Sequence, residues 1–253
     1  MLKDLSKNKF INFKKNKDHK SLLKKNYKII FNCDVNNSIT KKYFYKKDEK
    51  NYNSIAYTTI INHKKKLDNN VATQIFMKNG PLAFLPVSQI ETSVVYSARG
   101  QKNIDFKEFV LKNNNKYKIN KVYKILSSKL KSSNLRNYYY KNIIAFGDLL
   151  HRLHPLAGQG FNMSLRDIQE IVNLIKFKFN HGLDLDKSIC LEFENKMKSK
   201  NYIFSNGIDF IYEYFNSESK LNVNLLSKFV KFLGNKNKVN KIFKKVADEG
   251  LFI

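Results

Sequence analysis

Three features of the sequence predict an α+β fold: β-rich runs concentrated before residue 100, a buried-type strand that leads through a glycine-containing loop into a helix over residues 142–179, and helical periodicity beyond residue 181. The first run, Tyr27 to Cys33, is apolar, rich in β-formers and ends at Asp34 and the turn-prone pair Asn36-Asn37, so it reads as a strand entering a polar loop. Ser54 to Ile61, Val71 to Met77 and Thr92 to Ala98 are three further strands, separated by polar segments or by Gly80-Pro81 and Pro86. An antiparallel sheet is the economical arrangement for them. Asp105 to Lys112 reads as a short helix, and the lysine- and serine-rich residues 123–140 fit strand or loop equally. Asn142 to Phe146 is a strand of buried type, stopped by Gly147-Asp148. Phe161, Leu165, Ile168, Val172 and Ile175 then recur at helical spacing, which predicts a helix from Phe161 to Phe179. Beyond His181-Gly182, helices are expected over Leu185 to Tyr214, Leu225 to Leu233 and Val239 to Val246.

A chain of 253 residues with 42% hydrophobic and 13% aromatic side chains can bury a sizeable core, which excludes disordered and collagen-like classes. Its 47 basic against 21 acidic residues leave a formal charge of +26. All but four of the cations are lysines, and they are spread along the chain; a nucleic-acid binder leans on arginine forks gathered on one face. Specific nucleic-acid binding is therefore not expected. Attraction to an anionic membrane face suits the charge better, because a lysine near such a surface is worth about 1 kcal/mol. No apolar run approaches the roughly 18 residues of a spanning helix, and Met1 to Phe13 lacks a signal-like apolar stretch, so the expected location is cytoplasmic, peripheral at the inner face of the membrane. Cys33 and Cys190 stand far apart without a Cys/His cluster and read as core thiols. No metal site is expected.

The chemistry concentrates in one stretch, GDLLHRLHPLAGQGFNMSLRD, from Gly147 to Asp167. A buried strand delivers the Asp148 carboxylate into a loop, and Gly158 and Gly160 remove side chains where the next helix begins. A helix start presents unpaired N–H donors and about half a positive charge, which suits electron-rich oxygen and nitrogen atoms of a ligand. Asp148, an acceptor when ionised, suits a polyol hydroxyl. His151 and His154 lack a third ligand and are read as packing or hydrogen-bonding residues.

Together these pieces resemble the second flavin-binding motif, G-D-A-A-H-x-x-H-P-x-x-G-Q-G-x-N-x-G-x-x-D, of the aromatic-ring flavoprotein monooxygenases. Upstream, Ala72-Thr-Gln74-Ile-Phe76, Gly80-Pro-Leu-Ala-Phe-Leu-Pro86 and Ser93-Val-Val-Tyr-Ser97 are similar to the middle sheet of the UbiH/UbiF-type ubiquinone-biosynthesis hydroxylases. Cys33 to Lys41 resembles that family's A-D-G-x-x-S-x-x-R segment, which places Asp34 among the residues implicated in flavin and nicotinamide use. The resemblance begins near residue 10 and covers only the later part of the family: the sequence contains no G-x-G-x-x-G turn. It therefore implies part of an α/β FAD-dependent hydroxylase fold, the C-terminal portion of an enzyme from a truncated, split or frameshifted gene.

The resemblance further implies FAD as cofactor, NAD(P)H as electron donor, and hydroxylation of a polyprenylated phenol ring in ubiquinone biosynthesis. Cofactor contacts fall on Gly147, Asp148, Pro155, Gly158, Gln159, Gly160, Asn162 and Asp34, and no residue is singled out as a catalytic acid or base. Gln74, Phe76, Phe84 and Tyr96 either line the substrate side or belong to the core. Val35 in place of the family glycine bears on nicotinamide use, while Leu149-Leu150, Lys41 and Ser164 are lesser departures. The implied organisation is a remnant of the FAD-binding domain over 1–50, a mainly antiparallel substrate-domain sheet over 51–140, the flavin-binding strand, loop and helix over 141–180, and a helical region over 181–253. A separate N-terminal FAD-binding polypeptide and association with a membrane or ubiquinone-synthesis complex are implied partners. The alternatives are a non-catalytic remnant or scaffold subunit of such a complex and, further off, a basic nucleic-acid-binding protein.

Overall fold

The computed structural model describes residues 7–13, 19–100, 104–154 and 159–221. The helices expected over 225–233 and 239–246 lie outside them, as do Pro155 and Gly158.

After a single helical turn, α1 (His19–Leu23), the chain forms β1 (Ile30–Asn32) and α2 (Ser38–Tyr43). Asn37 caps α2 by accepting from the Thr40 N–H, so the predicted turn pair is a helix start. The 17-residue β2 (Lys47–His63) then opens an antiparallel sheet with β3 (Thr73–Met77), β4 (Gly80–Ser88), β5 (Glu91–Arg99) and β7 (Leu126–Leu135). Its order is β10-β7-β2-β5-β4-β3, where β10 is His151–Arg152, and β6 (Ile119–Val122) also pairs with β2. Between β5 and β6 lies α3 (Phe106–Asn113), with Asp105 as its N-cap.

Two segments differ from expectation. Gly80-Pro81 and Pro86 do not separate strands; they lie within β4. Gly80 begins that strand at φ +134°, where a Cβ would sit 1.9 Å from the Ser97 carbonyl oxygen, so only glycine lets the hairpin pack on β5. Pro81 follows at the strand's start and Pro86 adjoins a register break, positions that do not require a proline N–H. The ambiguous 123–140 region contains β7, whose Leu130, Ser132 and Leu135 face inward while Lys129 and Lys131 face solvent. Its serines and lysines are poor strand formers, and the long ladder offered by β2 decides the outcome.

The second sheet is small, with order β1-β9-β8, where β8 is Tyr139–Tyr140 and β9 is Ile143–Ala145. β1 and β9 run parallel. Against it pack two long helices, α4 (Gln159–Asn180) and α5 (Ser188–Leu221). The core there joins Ile143, Ile144 and Phe146 to Ile171, Leu174, Ile189 and Phe193. A separate core, including Leu82, Phe84, Val94, Tyr96 and Phe106, lies under the large sheet and α3. Phe84 and Tyr96 thus take the core role of the two that were open.

The stripe that marks α4 in the sequence coincides only in part with the face it buries: Val172 and Ile175 are half-buried, Ile175 against the core, while its first three members are exposed. Met163, Asp167, Ile171, Leu174 and Lys178 are buried, whereas Phe161 is 72% exposed, Leu165 47%, Ile168 45% and Phe179 76%. Lys178 is accommodated by Ser188 at 2.8 Å and Glu192 at 2.9 Å. Cys190 is a core thiol, and burial pushes it up to about 11. Cys33 is not: it is exposed at the end of β1, where the chain turns out of the sheet.

Candidate active site

The site grows from the carboxyl ends of two parallel strands. β9 is fully buried and pairs with β1 in the register Ile30↔Ile143 and Asn32↔Ala145. The ladder continues one step, with the Phe146 N–H donating to the Asn32 carbonyl at 3.0 Å. Beyond it the chain turns at Gly147, whose φ of +62° favours glycine, and enters a 3-10 turn, Gly147–Leu149, that carries Asp148 exposed. Leu149 and Leu150 point into the core and leave the exposed side of the turn to Asp148.

At the end of β1, Asp34 occupies the equivalent place on the neighbouring strand. One of its carboxylate oxygens accepts from the Asn36 N–H at 2.8 Å, and its carbonyl accepts from the Thr40 hydroxyl at 2.5 Å. Asn32, Asn37 and Thr40 close a buried polar ring behind it, with Asn37 Nδ2 donating to Asn32 Oδ1 at 2.7 Å and Asn32 Nδ2 to Thr40 Oγ1 at 2.8 Å. Asp34 and Asp148 thus lie at one end of one sheet although 114 positions separate them in sequence. Ligands of open parallel sheets occupy that end.

α4 supplies the third component. Gln159 and Gly160 form its first turn, with N–H groups that the helix itself cannot use. Among the described residues the buried Gln159 Oε1 atom has no hydrogen-bond partner, and a Cβ on Gly160 would meet nothing within 4 Å. An orphaned acceptor and a cleared backbone are what a bound ring system with polar edges would use, so the residues fit a flavin. Asn162 is half-buried and lines, with Leu165, Arg166 and Gln169, a shallow depression of about 270 Å³. Among the described residues no group of three or more His, Cys, Asp or Glu could hold a metal ion.

The two histidines have different environments. His151 Nε2 donates to Asp167, both being buried. His154, fully buried, has no hydrogen-bond partner on either ring nitrogen among the described residues. Its ring lies 4.7 Å from that of Tyr52 and 4.1 Å from that of Tyr212. Burial, with the positive charges of Arg99 and Lys50 nearby, lowers its pKa to about 4. Around it, the Tyr52 hydroxyl donates to Asp209, Tyr212 and Ser54 share a 2.9 Å hydrogen bond, and Arg99 meets Glu213 at 3.4 Å. Burial and Asp209 raise the Tyr52 pKa. Sequence reasoning missed this cluster because its members come from β2, β5 and α5 and no local spacing links them.

No protein-family profile matches the chain. It is 24% identical over 213 residues to ubiquinone biosynthesis monooxygenase COQ6, mitochondrial, of Danio rerio, an alignment covering 67% of this chain and 44% of that protein. The Schizosaccharomyces pombe protein of the same name is 22% identical over 242 residues, covering 76% and 50%. The Saccharomyces cerevisiae one is 36% identical over 63 residues, 25% of this chain and 13% of the relative. Among solved structures, CabE, an aromatic hydroxylase from angucycline biosynthesis, superposes with a TM-score of 0.62 at 11% identity, covering 87% of this chain and 46% of that one. OxyS anhydrotetracycline hydroxylase from Streptomyces rimosus gives 0.61 at 11% identity with the same coverage. The α+β arrangement is thus part of the fold these hydroxylases share, and the chain spans about half the length of the curated relatives it matches.

Proposed function

We propose that the chain is a member of the UbiH/UbiF-type family of ubiquinone-biosynthesis monooxygenases and forms the ring-binding and substrate-side part of an FAD-dependent hydroxylase acting on a polyprenylated phenol. The observation that supports this reading is the placement of Asp34 and the Gly147-Asp148 turn at the carboxyl ends of β1 and β9, with the helix that carries Gln159 and Gly160 tied to the strand after that turn through His151 and Asp167. In this reading Asp148 accepts a hydrogen bond from the ribityl chain. The free N–H groups of Gln159 and Gly160, at the positive end of α4, hold the polar edge of the ring and favour negative charge there. Asn162 borders that edge, and Gly147 gives the turn its shape. Asp34 holds the neighbouring turn. Bound FAD, reduced by NAD(P)H, would supply the oxygen-transfer chemistry; the protein supplies position, polarity and exclusion of water.

The proposed regions are a flavin-domain portion over 1–50, the substrate-side sheet over 51–140, the ring-binding strand, loop and helix over 141–180, and helices beyond. Among the described residues no helix is long and apolar enough to cross a membrane. The lysine excess supports peripheral contact with an anionic bilayer, where such a substrate resides.

The exposed stripe of α4 and the outer edge of β1, where Phe31 is exposed, support completion by the G-x-G-x-x-G half of the fold, carried on the same or another polypeptide. The 253-residue chain is accordingly expected to self-associate in light scattering, and Phe161→Lys with Ile168→Glu to reduce that association several-fold. A monodisperse native chain would contradict the unfilled face.

Titration with FAD, followed by flavin fluorescence, tests the function. Asp148→Ala is expected to weaken binding roughly 10–100-fold, the loss of one hydrogen bond to a charged acceptor. Absence of flavin binding, also after addition of a G-x-G-x-x-G half from a relative, would favour a non-catalytic scaffold subunit.

A further inference from the structure

Asp167 carries its carboxylate into the interior with no exposure, two turns into α4. One oxygen accepts from His151 and the other from Asn201 Nδ2 at 2.9 Å. His151 and Asn201 are buried as well, and the Asn201 side chain also meets the Tyr138 hydroxyl. β10, α4 and α5 therefore meet at one buried charge, with Tyr138, next to β8, behind it.

Cohesion does not demand such a network. Apolar side chains of similar volume hold helices and strands together as well as a buried ionic group, which must first be stripped of water. What hydrogen bonds add is direction: they fix the rotation and register of α4 against the strand, where apolar contacts tolerate sliding. The placement makes that direction matter. His151 lies three residues after Asp148, and Asp167 lies on the helix that begins with Gln159 and Gly160. We propose that the buried His151–Asp167–Asn201 network is a positioning device that holds the Gly147-Asp148 turn in a fixed relation to the first turn of α4. The three are positioning residues, and the value of the relation to a ligand rests on the flavin reading above.

The test uses the whole chain and the double substitution His151→Leu, Asp167→Leu, which replaces the network with apolar groups. Hydrogen exchange is measured at the amides of residues 147–152 and 163–168, the latter being the first α4 amides with partners inside the helix, beside the melting temperature and FAD affinity. The melting temperature is expected to stay within a few degrees of the native value, exchange at both segments to accelerate about tenfold or more while the β2–β5 ladder is unaffected, and FAD affinity to fall about tenfold. His151→Gln, which retains a donor toward Asp167, is expected to restore most of both. Unchanged exchange in the folded double variant would overturn the proposal, as would native FAD affinity despite accelerated exchange. If the native chain binds no FAD but exchange accelerates as described, the positioning stands and the flavin reading falls. Should the double variant not fold, Asn201→Ala removes a single donor and is read by the same measurements with the same criteria.

Discussion

Phe193→Ala is expected to lower the unfolding free energy by about 3–5 kcal/mol, the range for truncating a fully buried aromatic side chain. Phe193 has no exposed surface and sits where α5 meets the small mixed sheet. Its ring lies 5.7 Å from that of Phe146, which follows β9, and 6.3 Å from that of Tyr138. The next residue, Glu194, accepts from the Tyr138 backbone N–H at 2.8 Å, so the surrounding backbone is pinned and cannot collapse into the void. The cost therefore includes both lost transfer energy and a persistent cavity. Urea denaturation should show a lower midpoint at an unchanged slope. Phe179→Ala, at a site 76% exposed, should change stability by less than about 0.5 kcal/mol. Equal effects at the two positions would mean that α5 does not seal the sheet.

Acidification should act most strongly through His154. Its pKa is about 4 in the folded chain against an ordinary 6.5, because burial and the charges of Arg99 and Lys50 disfavour the imidazolium, opposed by Glu213. Between these values the unfolded chain binds the additional proton, so stability rises with pH through this window and is lost as pH falls from about 6.5 to about 4. The full loss is on the order of 3 kcal/mol. His63, also lowered by burial, adds a contribution of the same sign. Denaturation at pH 7 and pH 4.5 should give a difference for the native chain that His154→Leu reduces by most of that amount. An equal pH dependence in the variant would remove His154 as its source.

How much of this could be read in the sequence depends on how far apart the deciding groups lie. The strand into Gly147-Asp148 and the helix beginning near Gln159 were legible because turn glycines, a buried β-run and helical spacing are local properties. The motif resemblance rested on the same contiguous residues and led to the family that the comparisons support. β4 was hidden because its prolines read as breakers until the register with β5 is known, and β7 because only β2 makes a strand of its serines and lysines. The apolar periodicity of α4 identified the helix but only part of the face it buries; that face holds Asp167 and Lys178, residues a hydrophobic pattern counts as exposed.

The sequence by itself determined the type of most elements and carried the motif resemblance to the ubiquinone-biosynthesis monooxygenases that the chain matches. The tertiary structure decided that Asp34 and Asp148 share one end of a sheet, that His151, Asp167 and Asn201 meet in the interior, and that His154 is enclosed by Tyr52 and Tyr212. Backbone propensity and capping act within a few residues, whereas burial and charge pairing depend on partners up to about 160 positions away, which only the folded chain brings within contact.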